Sequence, residues 1–173
     1  MPSSYRRAGR AARALALCVA LSSHGAAAEE AARSAIVPYT VINGSRIEES
    51  LTGRRGDAAR GLRLYLQASR SGCIGCHGVP DAPGLQGTGI AEPAHAPRPG
   101  VPALDRVGMR LDPARIRLWI VAPAFLSDPG TKPSVYEVGQ RHDPADPLWG
   151  GPRLTAGEVE DLVAWVSGLT GME

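Results

Sequence analysis

Residues 71–78, Ser71-Gly-Cys-Ile-Gly-Cys-His-Gly78 (SGCIGCHG), place two cysteines and a histidine within five positions. The only other cysteine, Cys18, lies within the first twenty residues of the chain. Three chemistries use such a pair of thiols: a redox disulfide, half of a zinc site, or covalent attachment of a c-type haem through C-x-x-C-H. The rest of the chain decides among the three.

The surroundings of the motif favour haem attachment. A thioredoxin-like redox pair is delivered by a strand, whereas residues 61–71 have a helical pattern. A zinc site needs four ligands, and the other histidines of the expected mature chain lie in proline-rich loops without a second paired motif. We therefore predict one covalent haem c, held by Cys73 and Cys76, with His77 as an axial ligand of the iron.

The composition agrees with a core that a cofactor completes. Aromatic residues make up 5% of the 173 residues, with a single phenylalanine, while there are 21 glycines and 15 prolines. Few large side chains are thus available to fill a core, and a large apolar ring can replace them. Because such a ring stabilises only the folded state, we expect the apo-protein to be poorly folded.

The N-terminus is typical of a secretory signal. Arginines at positions 6, 7, 10 and 13 precede a short apolar run over 14–21 and small residues at 26–28. The run is too short to span a bilayer, so the prediction is a signal cleaved after residue 28, periplasmic localisation and no membrane anchor. Cleavage changes the formal charge from +2 to −2, since it removes four arginines and no acid. That balance gives no support to nucleic-acid binding.

Three helices are predicted outside the signal. The first covers 57–69 with Asp57 as its N-cap, the second begins at Asp112–Pro113 and ends before Pro123, and the third follows a capping box at 155–158. Gly61, in the middle of the first helix, predicts a close crossing with the third helix, where a tryptophan covers the glycine. The fold class is therefore all-α, a small class I-like cytochrome c fold with three main helices around one covalently bound haem c and long Pro/Gly-rich loops.

The domain prediction divides the chain into three parts: a signal peptide at 1–28, an N-terminal arm at 29–54 and a cytochrome c domain at 55–173. The arm is expected either to wrap a partner or to lie on its own domain. Within the domain, the loop between His77 and Leu104 is rich in Gly, Pro and Ala and ends in Pro102-Ala-Leu104. In this architecture the carbonyl of Pro102 is expected to accept the free ring N–H of His77.

Four stretches resemble the SoxX family, the monohaem cytochrome subunits of sulfur oxidation. They are IEESLTG (47–53), GDAARG (56–61), VPALDRVG (101–108) and LTAGEVEDLVAW (154–165). The resemblance covers residues 36 to 170 and implies a periplasmic heterodimer with a SoxA-type cytochrome, in a SoxAX complex that couples thiosulfate to a cysteine of the SoxYZ carrier. It implies that this chain accepts electrons and passes them to a downstream acceptor. No thiol remains after haem attachment, so the sulfur chemistry is expected on the partner.

The chain departs from the family at the second axial ligand. SoxX proteins typically place a methionine before a proline there, whereas the corresponding stretch GTKPSVY (130–136) has Lys132, the only lysine among 19 basic residues. An amine can lose its proton and bind iron, which an arginine cannot do. Lys132 is therefore the predicted distal ligand, with His142, Met109 or an open site as alternatives.

Two other functions remain open from the sequence. One is a free-standing monohaem electron-transfer cytochrome without a fixed enzyme partner. The other is a haem sensor with an open coordination site, which would bind carbon monoxide tightly when reduced. A catalytic acid, base or nucleophile is not predicted.

Overall fold

The computed structural model describes residues 36–78, 97–128, 131–136 and 154–171. This part of the chain is helical, and its only β pairing is an isolated bridge between Ile42 and Arg46. The helices are α1 (Ala58–Leu66), α2 (Ile74–His77), α3 (Val107–Arg110), α4 (Pro113–Val121) and α5 (Ala156–Val166), with a 3-10 turn at Pro123–Phe125. The all-α prediction holds for the described residues.

The predicted caps begin the three longer helices. Asp57 accepts the backbone N–H of Arg60 at the start of α1, and Asp112 accepts that of Arg115 at the start of α4. Thr155 and Glu158 form the complete capping box of α5. These side chains satisfy N–H groups that the first turn of a helix leaves without partners.

Helix α1 is shorter than the sequence predicted, because it ends at Leu66 instead of Ser69. The helical backbone stops at Gln67, whose φ of −84° and ψ of 88° lie outside the helical region, and its N–H donates to the carbonyl of Leu64 at 3.1 Å. Beyond it, the carbonyl of Gln67 accepts the backbone N–H of Ser71 at 3.0 Å, and the Ser71 hydroxyl lies 3.3 and 3.4 Å from the carbonyls of Tyr65 and Gln67. The chain turns at this point and leads directly into the cysteine motif.

Helices α1 and α5 form the main packing contact. A Cβ added at Gly61 would overlap the backbone of Asp161 and lie 2.9 Å from the Cβ of Trp165. The predicted close crossing and the tryptophan cover are therefore both present. Beside the glycine, the rings of Tyr65 and Trp165 lie 4.5 Å apart between centroids. Helix α4 packs on the same α5.

The described part of the N-terminal arm, residues 36–54, lies on its own domain. Ile47 is 1% exposed, and its carbonyl accepts a hydrogen bond from Arg117 of α4 at 2.7 Å. The hydroxyl of Tyr136 accepts the N–H of Val37 at 2.6 Å and donates to its carbonyl at 3.1 Å. Of the two expectations for the arm, the structure shows this one for residues 36–54.

Three predictions fall outside the described residues: the signal peptide at 1–28, the first residues of the arm at 29–35, and His142. Among the helices that the structure describes, none has the length and apolar character needed to cross a bilayer.

Candidate functional site

The cysteine motif forms the short helix α2, which follows a turn at 68–71. Cys73 precedes the helix, and His77 is its last residue. The chain leaves through Gly78, whose φ of 67° and ψ of −162° suit a residue without a side chain. On return from the loop, the N–H of Arg98 donates to the carbonyl of Cys76 at 2.8 Å. The motif is therefore held in place by backbone contacts on both sides.

His77 makes the hydrogen bond that the sequence predicted. Its Nδ1 lies 2.9 Å from the carbonyl oxygen of Pro102, 25 residues further along the chain. A carbonyl oxygen only accepts hydrogen bonds, so the proton of this bond belongs to Nδ1. In the neutral ring the lone pair is then on Nε2, the nitrogen left to bind a metal.

The electrostatics of His77 favour that neutral ring. Burial is the largest cause that lowers its pKa, and the positive charge of Lys132 lowers it further. The bond to Pro102 acts in the opposite direction. At neutral pH the imidazole is therefore a potential ligand instead of a cation.

The two thiols are free and partly buried. Burial is the main cause that raises the pKa of Cys73, while a hydrogen bond within the motif and the charge of Lys132 reduce the rise. A raised pKa keeps the thiol protonated, which is the opposite of what a disulfide oxidoreductase needs in its attacking cysteine. Within the described residues, no group of three or more His, Cys, Asp or Glu is arranged to hold a metal ion. Neither the redox nor the zinc interpretation gains support.

Lys132 interacts electrostatically with the residues of the motif. Its amine donates to the carbonyl of Trp119, in α4, at 2.7 Å. Burial lowers the pKa of Lys132, and negative charge on Cys73 or Cys76 would raise it. The amine and the motif thus influence each other electrostatically, and burial favours the neutral amine that can bind a metal.

Of the other candidates for a distal ligand, Met109 lies among the described residues. Met109 is 62% exposed at the surface end of α3, and its thioether is not enclosed by the domain. His142 lies outside the described residues. Among the described residues, the Lys132 amine is thus electrostatically coupled to the motif, whereas the Met109 side chain is largely exposed.

Sequence reasoning missed two residues of this site, Tyr65 and Ser71. Tyr65 is fully buried, and its hydroxyl donates to the carbonyl of Gly78 at 2.6 Å. Ser71 is 2% exposed and accepts the N–H of Cys73 at 3.3 Å. The available signal was the polar tip of a tyrosine on the buried face of α1, because a buried hydroxyl needs a hydrogen-bond partner.

Comparison with solved structures finds a chain of the SoxXA crystal structure from P. pantotrophus. The match has a TM-score of 0.60 and 25% sequence identity, and it covers 76% of this chain and 94% of that one. No family model matches the sequence, and a search of curated proteins finds no match. The resemblance to SoxX predicted from the sequence is thus confirmed at the level of structure.

Proposed function

We propose that this chain is a periplasmic monohaem c-type cytochrome that acts as the electron-accepting X subunit of a SoxAX-type complex. The observation that carries the proposal is His77: its Nδ1 is bound to the Pro102 carbonyl, and its Nε2 lone pair is free beside two thiols. The similarity to a chain of SoxXA supports the same assignment.

The residues present fit a covalently attached haem. Cys73 and Cys76 would form the two thioether bonds, and His77 would ligate the iron through Nε2. The Pro102 carbonyl fixes the plane and the tautomer of the imidazole and increases its basicity. A haem bound there would supply reversible one-electron redox chemistry.

Lys132 is proposed as the second axial ligand. Removing the proton from a free amine with a pKa near 10.4 costs about 4.6 kcal/mol at pH 7, which the iron–nitrogen bond and burial have to offset. The structure supports part of that offset, since burial lowers the pKa of this amine. An amine in place of a thioether would favour ferric iron and give a lower reduction potential than Met/His ligation.

The number of cysteines indicates which subunit carries the sulfur chemistry and which one carries electrons. Outside the predicted signal the chain has only Cys73 and Cys76, and both are consumed by haem attachment. The thiosulfate-coupling reaction on the SoxYZ carrier is therefore assigned to the SoxA-type partner. This chain would accept electrons and pass them to a downstream acceptor.

Haem attachment is tested with the protein produced in a host that matures c-type cytochromes. The reduced pyridine haemochrome of the wild type should have the spectrum of a haem with two thioether bonds, retained on a denaturing gel. Cys76→Ala should shift the spectrum to that of a single thioether, whereas Ser69→Ala, in the exposed turn before the motif, should leave it unchanged. A wild type without covalent haem contradicts the proposal.

Complex formation is tested by co-expression with a SoxA-type cytochrome. A stable one-to-one complex supports the assignment as an X subunit. A monomer that only exchanges electrons with that cytochrome would support the free-standing electron carrier instead.

The Lys132 assignment has its own test. Electron paramagnetic resonance and near-infrared spectra of the oxidised protein should show a low-spin histidine–amine signature that Lys132→Ala removes. Lys132→Arg is the matched control, because it keeps a long basic side chain but cannot bind iron. It should lose the signature as the alanine variant does. Spectra identical to the wild type in both variants would remove Lys132 from the site.

A further inference from the structure

Tyr65 contacts both ends of the cysteine motif. Its hydroxyl donates to the carbonyl of Gly78, which follows His77, at 2.6 Å. Its backbone carbonyl accepts the hydroxyl of Ser71 at 3.3 Å, and the same hydroxyl accepts the N–H of Cys73 at 3.3 Å. One residue of α1 is thus connected to the point where the chain enters the motif and to the point where it leaves.

The exit of the motif depends on this contact. Gly78 is buried, and its N–H is already used by the carbonyl of Ile74 at 3.1 Å. Its carbonyl receives the Tyr65 hydroxyl. This bond fixes the direction of the Gly78 carbonyl, one residue beyond His77, whose ring contacts the Pro102 carbonyl.

The ring and the hydroxyl of Tyr65 have separable tasks. The ring packs on Trp165 at the crossing of α1 and α5, a contact that a phenylalanine could also make. The hydroxyl adds nothing to that packing and is fully buried, where a polar group without a partner is costly. Burial also raises the pKa of Tyr65, so the hydroxyl stays a donor over the physiological range.

We propose that Tyr65 is a positioning residue that sets the orientation of the His77 imidazole through its hydrogen bond to the Gly78 carbonyl. The inference rests on the proposed function, since the orientation matters for a haem ligand. It assigns a role to a residue outside the C-x-x-C-H motif, whose hydroxyl binds the backbone next to that motif.

The test compares three variants of the haem-loaded protein. Tyr65→Phe removes the hydroxyl and keeps the ring. Trp165→Phe changes the ring contact and keeps the hydroxyl. Tyr136→Phe removes another buried tyrosine hydroxyl, whose partners are the backbone groups of Val37 and not the motif. Proton NMR of the oxidised protein measures the four haem methyl shifts, whose pattern depends on the orientation of the axial imidazole, and denaturant unfolding measures stability.

All three variants should be less stable, and loss of the Tyr65 bond alone should raise the unfolding equilibrium constant about 5- to 160-fold. Only Tyr65→Phe should change the order or spread of the methyl shifts. An unchanged pattern in Tyr65→Phe, or an equal change in Tyr136→Phe, would overturn the positioning role.

Two outcomes keep the test decisive. If the wild type carries no covalent haem, the proposed function itself fails, and this is visible before any variant is made. If Tyr65→Phe does not yield holoprotein, the reduced wild type is used: a slowly exchanging Tyr65 hydroxyl proton with Overhauser contacts to Gly78 supports the bond, and its absence overturns it.

Discussion

The buried ion pair between Arg117 and Glu160 gives the most quantitative prediction. The two side chains are 6% and 3% exposed, and two hydrogen bonds of 2.7 and 2.9 Å join them. Arg117 also donates to the carbonyl of Ile47, and Glu160 accepts the N–H of Leu51 at 2.9 Å. The pair thus joins α4, α5 and the arm, and Arg117→Met would leave a buried carboxylate with a single described donor.

Removing one partner of such a pair costs about 3–5 kcal/mol, because the remaining charge stays buried. For a domain of this size that loss lowers the midpoint of thermal unfolding by about 6–20 °C. Glu160→Met should have a cost in the same range. Urea unfolding of the haem-loaded protein, followed by far-ultraviolet circular dichroism, measures the change.

The double variant is the sharper test. Replacing both charges by methionine removes the desolvation cost, a change worth about 1–4 kcal/mol in favour of the fold. It leaves the Ile47 carbonyl and the Leu51 N–H without these partners, at about 1–3 kcal/mol each. The double variant should therefore be less destabilised than the sum of the single variants, with a coupling energy of at least about 1 kcal/mol.

Arg70→Met provides the matched control. Arg70 binds Glu158 with the same bidentate geometry, at 2.8 and 3.2 Å, but the side chains are 35% and 28% exposed. Its loss should cost about 1 kcal/mol or less. If Arg117→Met costs no more than Arg70→Met, or if the two methionine substitutions are additive, the reasoning from burial is refuted.

Three further predictions follow from single residues. Gly61→Val should lower the free energy of unfolding by about 1–3 kcal/mol or more, because even its Cβ overlaps the backbone of Asp161. The control Ala59→Val, at an exposed position of the same helix, should lower it by about 0.5 kcal/mol. Equal losses in the two variants would contradict the close crossing. The hydrogen bond from the N–H of Arg60 is the main cause that lowers the pKa of Asp57 below 3.8. The ionised Asp57 carboxylate therefore contributes fully to stability above pH 3.8, and this contribution is lost as the pH falls through the lowered pKa. Asp57→Asn should therefore reduce the loss of the free energy of unfolding at acid pH. An unchanged dependence on pH would show that the charge of Asp57 does not contribute to stability. Lys132→Met should raise the haem reduction potential in a spectroelectrochemical titration, and an unchanged potential would contradict amine ligation.

The sequence by itself determined the features that depend on neighbours in the chain. Cys73, Cys76 and His77 form the C-x-x-C-H pattern within five positions, which predicts haem attachment. The caps at Asp57, Asp112 and the 155–158 box act on N–H groups three residues away. Gly61 indicated a close crossing because a glycine in mid-helix has a cost that only packing can offset. Such signals are local, so no tertiary information is needed to interpret them.

The tertiary structure decided what lies beside the motif. The Lys132 amine donates to the carbonyl of Trp119, which is 13 residues away in the sequence. The Tyr65 hydroxyl donates to the carbonyl of Gly78, which is also 13 residues away. Arg117 and Glu160 are 43 residues apart, and their pairing attaches the arm to its own domain. Backbone carbonyls are present at every residue, so no sequence pattern marks which of them a distant side chain will find; only the crossing of the helices brings those partners within hydrogen-bonding distance.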